Sequence, residues 1–434
     1  MKLFHCADIH LGRRRLDGRL PDSDFADAFA WLVDEAIVAK ADAVLLAGDL
    51  FDKPQVEPHH LRQAQTSLQR LRAAAIPAIA IEGNHDRASL NSADPTWLDF
   101  LAEDGLLRLL KPRFDVNGAV LDGAICDLGG VRFVGAGYLG AATPAKVRQI
   151  LERLEAGRDH VLLLHAGPDY FVGEGGGFSG EDLRSIRERV RYLALGHIHK
   201  PMLHGGWACN PGSPENCDLR EAAYDRDRNG AAVQRGFAIV ELECGEAAQP
   251  PHVEIRSNPR RPCAHLDLDC TPFGNKLKDG VLALEKAAVK LIAASGLPAG
   301  AAIELRLLGR MNLDRLAFDA EAVSHHIEQA TGAAAVAINP AGINLGDAHI
   351  SGIAAGETLS REALERAALR SLIAGEHLWG LDGEQENVAN LFYELKDGVN
   401  RGRSPQELAE KIRASALVDQ VRAALAISPP VESA

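Results

Sequence analysis

Short apolar runs, each closed by a polar block rich in His, Asp or Asn, punctuate the first half of the chain. Val44-Leu45-Leu46-Ala47, Ala78-Ile79-Ala80-Ile81, Val161-Leu162-Leu163-Leu164 and Tyr192-Leu193-Ala194-Leu195 have no polar face, which suits strands buried on both sides. Between them the spacing becomes helical. From Asp24 to Ala39, residues Phe25, Phe29, Leu32, Val33 and Ala36 share one face, and Pro58 to Ala74 behaves similarly. Strands alternating with helices predict an α/β sheet, and ligands of such sheets gather beyond the carboxyl ends of the strands. Gly173 to Gly180, reading Gly-Glu-Gly-Gly-Gly-Phe-Ser-Gly, is too flexible for an element interior. It reads as a surface loop, with a mobile substrate-side lid as the alternative.

At 434 residues the chain calls for two or three domains. The segment Ser257 to Pro262 looks like a linker, and the order after it is strand (His265 to Cys270), helix (Lys276 to Ala294), strand (Ile303 to Leu308), helix (Ala320 to Ala330) and strand (Ala334 to Ile338). From Ser360 the pattern is helical, with Gly375 and Gly402 near breaks and Ser404-Pro405-Gln406-Glu407 forming a cap and first turn. The expected division is therefore residues 1–258, 262–345 and 358–434.

Composition narrows the class. No apolar run of about eighteen residues appears, and Met1-Lys2-Leu3-Phe4-His5 opens into a strand-like segment instead of a signal sequence, so a soluble cytoplasmic protein without a membrane partner is expected. Seven scattered cysteines with no C-x-x-C pair argue against a disulfide framework and a thiolate zinc site. Cys6 alone falls near the suspected chemistry, as a packed strand residue. With 60 acidic and 47 basic residues the net charge is -13, the wrong sign for coating nucleic acid nonspecifically. Any DNA contact must use local patches, and divalent metals would neutralise part of the acidic excess.

The chemistry sits in five ordered blocks: Asp8-Ile9-His10, Gly48-Asp49-Leu50-Phe51-Asp52, Gly83-Asn84-His85-Asp86, His165, and Gly196-His197-Ile198-His199. Asp8 and His10 are two apart, as are His197 and His199, so each pair shares one side of an extended strand end. Two such pairs facing each other make a metal cradle. Imidazole nitrogen mixed with carboxylate and amide oxygen suits manganese, iron or zinc, with manganese the first choice. A carboxylate can bridge two ions about 3.5–4 Å apart, which makes Asp49 the bridge, and coordination lowers the pKa of water toward about 7, so no serine or cysteine nucleophile is needed. Asn84 offers its amide oxygen to metal and leaves His85 to the leaving group or phosphoryl oxygens as a proton donor, with Asp86 or Asp52 orienting it. His5, His59, His60, His160, His204 and His265 read as surface or strand residues, not ligands.

Taken as they stand, the five blocks resemble those of the calcineurin-like metallophosphoesterases over about residues 1–245. Phe4 to Gly12, Gly48 to Asp52, Glu82 to Asp86 and Asn210-Pro211-Gly212-Ser213-Pro214-Glu215 together resemble the SbcD-type DNA-repair exonucleases. The resemblance implies a sandwich of two β-sheets flanked by helices, followed by a small α/β capping domain and a helical C-terminal region. It implies one metal held by Asp8, His10, Asp49 and His199, a second held by Asp49, Asn84, His165 and His197, and His85 as the catalytic histidine. Some family members carry a second histidine where this chain has Asp52, so a second proton donor is left open. The resemblance also implies manganese-dependent 3′ to 5′ exonuclease and endonuclease activity on DNA, with an SbcC-type ATPase as partner.

The helices after residue 360 carry no recognisable docking motif, so ATPase docking, packing on their own core and homodimerisation stay open. Arg13, Arg14 and Arg15, with Arg19, follow the first block and offer guanidinium forks to phosphate, a solvated charged loop being the alternative. Arg184, Arg187 and Arg191, at helical spacing, could add to a basic face or simply meet solvent. The leading expectation is a nuclease acting on DNA ends. A small-nucleotide phosphodiesterase or phosphatase is the enzymatic alternative, and a noncatalytic scaffold is disfavoured by the full ligand set.

Overall fold

Leu3 and Phe4 are neighbours in strand β1 (Lys2–Cys6) yet belong to different cores, because successive side chains leave a strand on opposite faces. The computed structural model describes residues 1–87, 94–172, 177–227, 229–245, 249–273, 277–310, 318–344, 365–366, 369, 384–400 and 403–420. The first six-stranded sheet runs β14 (His252–Ser257), β13 (Gly236–Glu241), β1, β2 (Ala43–Ala47), β3 (Ala78–Ile81), β4 (Arg108–Leu109). Strands β1 to β4 are parallel, and β13 and β14 close the edge antiparallel. The second runs β11 (Met202–His204), β12 (Ala208–Asn210), β10 (Tyr192–Gly196), β9 (His160–His165), β8 (Val131–Ala136), β7 (Ile125–Leu128), with β8, β9, β10 and β12 parallel. A hairpin of β5 (Arg113–Asp115) and β6 (Gly118–Val120) lies between them in sequence.

Leu3, Leu45, Ile79, Phe133, Leu163 and Ala194 fill the core between the sheets. Phe4, Val44 and Ala80 face α1 (Ser23–Val38), α2 (Pro58–Ala73) and α3 (Trp97–Glu103), whose Phe29, Leu32, Leu68 and Leu101 cover them. On the second sheet Val134, Leu162 and Leu193 meet α4 (Thr143–Glu152) and α6 (Gly180–Arg187), with α5 (Asp169–Val172) between those helices in sequence. The expected sandwich flanked by helices is therefore present. Within it, β1, β2 and β3 run parallel in one sheet and β9 and β10 in the other, so the blocks that follow them start from matched strand ends.

The chain divides into two compact units, Met1–Leu268 with Glu285–Leu307 and Glu321–Pro340, and Asp269–Leu284 with Leu308–Ala320 and Ala341–Ala434. Most of a three-stranded sheet, β15 (Cys263–Asp269), β16 (Ala302–Arg310), β17 (Ala335–Asn344), packs with the first unit. Helices α7 (Leu277–Ala294) and α8 (Ala320–Thr331) alternate with its strands, in the order the spacing predicts. In the second unit, α9 (Gln385–Asn400) and α10 (Pro405–Arg413) are joined by a Lys411–Glu394 pair at 2.9 Å, and Ser404 and Glu407 form the reciprocal capping box read from the sequence. The expected breaks at Gly375 and Gly402, and the core of the Gly173–Gly180 loop, lie outside the described residues. Among the described residues no helix is long and apolar enough to cross a membrane.

An ion cluster closes the first unit on itself. Arg15, 3% exposed, reaches Glu215 Oε2 at 2.9 Å and the Asp24 carboxylate, which also takes a fork from Arg261 at 2.8 and 2.9 Å. Burial pushes the Glu215 carboxyl up to about 7, with the Arg15 charge opposing it. Removing one partner of a buried pair leaves the others uncompensated. Arg15→Ala is therefore expected to lower the unfolding free energy by about 3–5 kcal/mol, read from denaturant midpoints; a loss below about 1 kcal/mol would show that the cluster is not a buried unit.

Candidate metal centre

The blocks after the strands do not continue as strands. Asp8, His10, Asp49 and His197 have φ of +54°, +51°, +53° and +87°, and a left-handed backbone costs roughly 1–2 kcal/mol for a residue with a Cβ. The loops hold one another there: Asp8 N donates to Gly48 O at 3.0 Å, His10 N to Asp49 O at 3.0 Å and Leu11 N to Leu50 O at 2.9 Å. The Asp86 carboxylate accepts from the backbone N–H groups of Asp49, Phe51 and Gly83 at 2.9, 3.1 and 2.8 Å. At Gly83 a Cβ would stand 1.9 Å from Asp49 Oδ1, so only glycine lets the third block approach the second.

These turns aim seven donor side chains into one cleft. His165 Nε2 lies 3.2 Å from Asp49 Oδ2 and 3.1 Å from Asn84 Oδ1, and His197 Nδ1 is 3.0 Å from the same amide oxygen. On the other side of Asp49, His10 Nε2 is 3.8 Å from Asp49 Oδ2 and 3.1 Å from His199 Nε2, and His199 Nε2 is 4.0 Å from Asp8 Oδ1. Asp49 thus stands between the two histidine groups. Its other oxygen accepts the His85 backbone N–H at 2.8 Å, and the His197 N–H is held by both Asp8 oxygens at 3.1 and 3.0 Å.

The far ring nitrogens are tied down, which fixes the near ones. His165 Nδ1 bonds the Ala47 carbonyl at 2.8 Å, and His199 Nδ1 bonds Glu221 Oε1 at 2.6 Å. Glu221 is held in turn by the Cys217 N–H at 3.1 Å and by the fully buried Arg235 at 3.4 Å. Outer partners of this kind set tautomer and direction in metal-binding histidines. His85 Nδ1 bonds the Asp52 carbonyl at 2.8 Å, leaving Nε2 as its free ring nitrogen, while the Asp52 carboxylate pairs with Arg13 at 2.9 Å and faces His10 Nδ1 at 3.5 Å.

Burial raises Asp8, against the pull of the His165 and His199 charges, whereas at Asp49 burial is outweighed by the charge and hydrogen bond of His165 together with the charges of His10 and His85, which hold it well below the usual carboxylate range. Against burial, the Asp49 carboxylate raises His165 to about 9, and hydrogen bonds to Cys217 and Glu221 raise His199 to about 12. Burial and the His165 charge lower His197 to about 4, and burial beside Asp49 raises Asp86 to about 7. Ring nitrogens 3.1 Å apart at His10 and His199, and two imidazoles on one amide oxygen, are lone pairs that a cation reconciles. The donor set of imidazole, carboxylate and amide fits divalent metal.

All eight residues of the expected metal and catalytic set therefore meet. The arginines separate. Arg15 is buried in its ion cluster and so is not a phosphate contact, Arg13 is fixed against Asp52 and the Cys217 carbonyl, and Arg14 is 64% exposed beside Glu57. Arg19 bonds the Val336 carbonyl and Glu328, and the Arg187 guanidinium stacks on Trp207.

Three further expectations change. Asp52, not Asp86, orients His85, and it does so through its backbone carbonyl. Cys6 is buried in β1 as read, but it is not alone, since Cys217 lies against His199. His60 is neither surface nor strand but buried in α2, bonded to Asp22 at 3.0 Å. Glu221 and Arg235 were missed because neither the short 3₁₀ helix Leu219–Asp225 that carries Glu221 nor the coil before β13 that carries Arg235 has a local pattern pointing to the site. The Asn210 to Glu215 motif gave a signal without a role; Ser213 Oγ bonds the Asp8 carbonyl at 2.9 Å and Asn210 bonds the Lys200 carbonyl at 2.9 Å, so it shapes the ligand loops.

Residues 1–201 match the calcineurin-like phosphoesterase family, so this segment is similar to a calcineurin-like phosphoesterase domain. Members of this metallophosphoesterase class bind divalent metal. Among curated relatives, the DNA double-strand break repair protein Mre11 of Archaeoglobus fulgidus is 30% identical over 278 residues, 59% of this chain and 60% of that one. The Mre11 proteins of Methanopyrus kandleri (28% over 267 residues, 59% and 57%) and Aeropyrum pernix (31% over 210 residues, 46% and 50%) are also similar. The matches span 50–60% of the length of these relatives.

Glu221→Gln removes the charge that holds His199 but keeps its shape. Divalent-metal affinity is expected to fall about 10- to 100-fold, measured by titration calorimetry with manganese; unchanged affinity would show that His199 is directed by other contacts.

Proposed function

We propose that this chain is a metal-dependent nuclease that hydrolyses phosphodiester bonds at DNA ends in double-strand break repair. The observation that carries the reading is the meeting of Asp8, His10, Asn84, His165, His197 and His199 about the buried Asp49 carboxylate, with His85 beside it. The similarity to Mre11 repair proteins supports the DNA substrate. In this reading Asp8, His10, Asp49 and His199 hold one divalent ion and Asp49, Asn84, His165 and His197 a second, manganese being preferred for both. Such ions supply Lewis acidity and acidify water toward neutral pH.

The chain's own groups do the rest. With Nδ1 committed to the Asp52 carbonyl, His85 presents Nε2 as the proton carrier for the leaving oxygen, a role typically worth about 10²- to 10⁴-fold. Arg13 is braced between Asp52 and the Cys217 carbonyl, on the two sides of the centre, and holds a fixed positive charge at its rim. Beyond it a cleft of about 360 Å³ is lined by Arg13, Arg14, Arg220, Glu304 and Asn339, which gives a nucleic-acid strand both cationic and hydrogen-bonding groups. The capping role of residues 262–345, an SbcC-type ATPase as partner of residues 358–434, exonuclease and endonuclease action, and a cytoplasmic location belong to the same proposal.

Labelled duplex DNA and a small chromogenic phosphodiester, each with manganese, magnesium or chelator, test it. Manganese-dependent shortening of the duplex is expected, whereas turnover of the small diester alone would make this a nucleotide phosphodiesterase. His85→Ala should keep its metal and lose about 10²- to 10⁴-fold in turnover, while Asp49→Ala should lose metal as well; full activity in His85→Ala would remove it from the chemistry. Arg14→Ala is expected to weaken DNA binding and to reduce the slope of log affinity against log salt by about 1, and an unchanged slope would exclude a phosphate contact there.

A further inference from the structure

A second group of metal-type donors stands outside the phosphoesterase centre and takes no part in it. His59 and His60 are the second and third residues of α2, and Asp22 immediately precedes α1. Asparagine, aspartate and serine at that position ordinarily accept a hydrogen bond from the first turn. Asp22 makes no such bond. Its Oδ2 instead lies 3.0 Å from His60 Nε2 and 3.6 Å from His59 Nε2, and the two rings pack with centroids 3.7 Å apart. One donor atom from each of the three residues lies within 4.8 Å of the other two.

A tetrahedral zinc ion with bonds of about 2.0–2.1 Å spaces its donors about 3.3 Å apart, and the two separations from the carboxylate oxygen bracket that value. His60 is 4% exposed, with Nδ1 toward Gly12 (φ +90°), where an added Cβ would stand 2.7 Å from it, and Nε2 toward Asp22. Nε2 is therefore the nitrogen left to bind. His59 is 54% exposed, which leaves the outer side open to solvent.

We propose that Asp22, His59 and His60 form a site for a zinc-type divalent ion, with water as the fourth ligand. Two imidazoles and one carboxylate in a small shell suit zinc better than magnesium or manganese, which prefer six oxygen-rich ligands. The site joins the start of α1 to the start of α2 beneath Gly12, two residues beyond His10. Its ion would act as a clamp on the segment that carries Arg13 and Arg14, and it does not depend on what the phosphoesterase centre cleaves.

The test uses the full chain as wild type, His59→Ala, Asp49→Ala and the double variant, with zinc counted by metal analysis after gel filtration. His59→Ala is expected to remove one equivalent from both the wild-type and the Asp49→Ala backgrounds. Turnover of the small chromogenic phosphodiester, which does not call on Arg14, should stay unchanged in His59→Ala alone. Cobalt substitution gives a second readout, because four-coordinate cobalt has intense visible d–d bands and six-coordinate cobalt has weak ones. The bands should be present in Asp49→Ala and absent from the double variant. Equal zinc content with and without His59, or a cobalt spectrum that ignores it, would leave Asp22 and His60 as an ordinary hydrogen-bonded pair and overturn the proposal.

Discussion

Two carboxylates, Asp8 and Asp49, are almost wholly withdrawn from water at the ends of neighbouring strands, and that charge has to be answered by whatever surrounds it. His10 from the end of β1, with three histidines and an asparagine from three other strand ends, answers it in part, and a divalent cation is the natural complement of the set. Much else in the domain follows from this demand. Sheets buried on both faces supply rigid ends, and parallel order within each sheet places those ends on the same side. The left-handed turns at Asp8, His10, Asp49 and His197, not an extended continuation of the strands, then set the direction of these side chains.

Such strain persists only where surrounding contacts overdetermine it. Backbone bonds between the Asp8 and Asp49 loops, the Asp86 carboxylate with its three N–H donors, and Ser213 beneath the Asp8 carbonyl serve that purpose. A further layer directs the rings: Glu221 at His199, the Ala47 carbonyl at His165 and the Asp52 carbonyl at His85. Asp52 is unusual in serving three groups at once, since its carboxylate also faces His10 and anchors Arg13. A protonated histidine at that position could not hold a guanidinium in this way, so the aspartate here fixes a positive charge at the rim of the centre.

The arginine run shows how burial sorts identical residues. Arg13, Arg14 and Arg15 are adjacent, yet one braces the centre, one meets solvent and one closes a buried ion cluster. Nothing in their order distinguishes them, because their fates depend on Asp52, Glu57, Asp24 and Glu215, which approach from distant parts of the chain.

Strand and helix positions were legible from sequence because burial imposes a local period: unbroken apolar runs for β2, β3, β9 and β10, and 3.6-residue spacing for α1 and α2. The eight residues of the proposed metal and catalytic set were legible for a related reason, since each falls in a block that closes such a run and carries donor atoms by residue type. Glu221, Arg235 and Cys217 were not, and neither was the turn of Asp22 toward His59 and His60. Those depend on distances between segments tens to hundreds of residues apart, which no local pattern encodes. By itself the sequence determined which side chains could bind metal and which strand ends present them. Only the tertiary structure decided which nitrogen of each ring faces inward, which arginine meets water, and which distant carboxylate holds each histidine in place, because those outcomes are set by packing between elements.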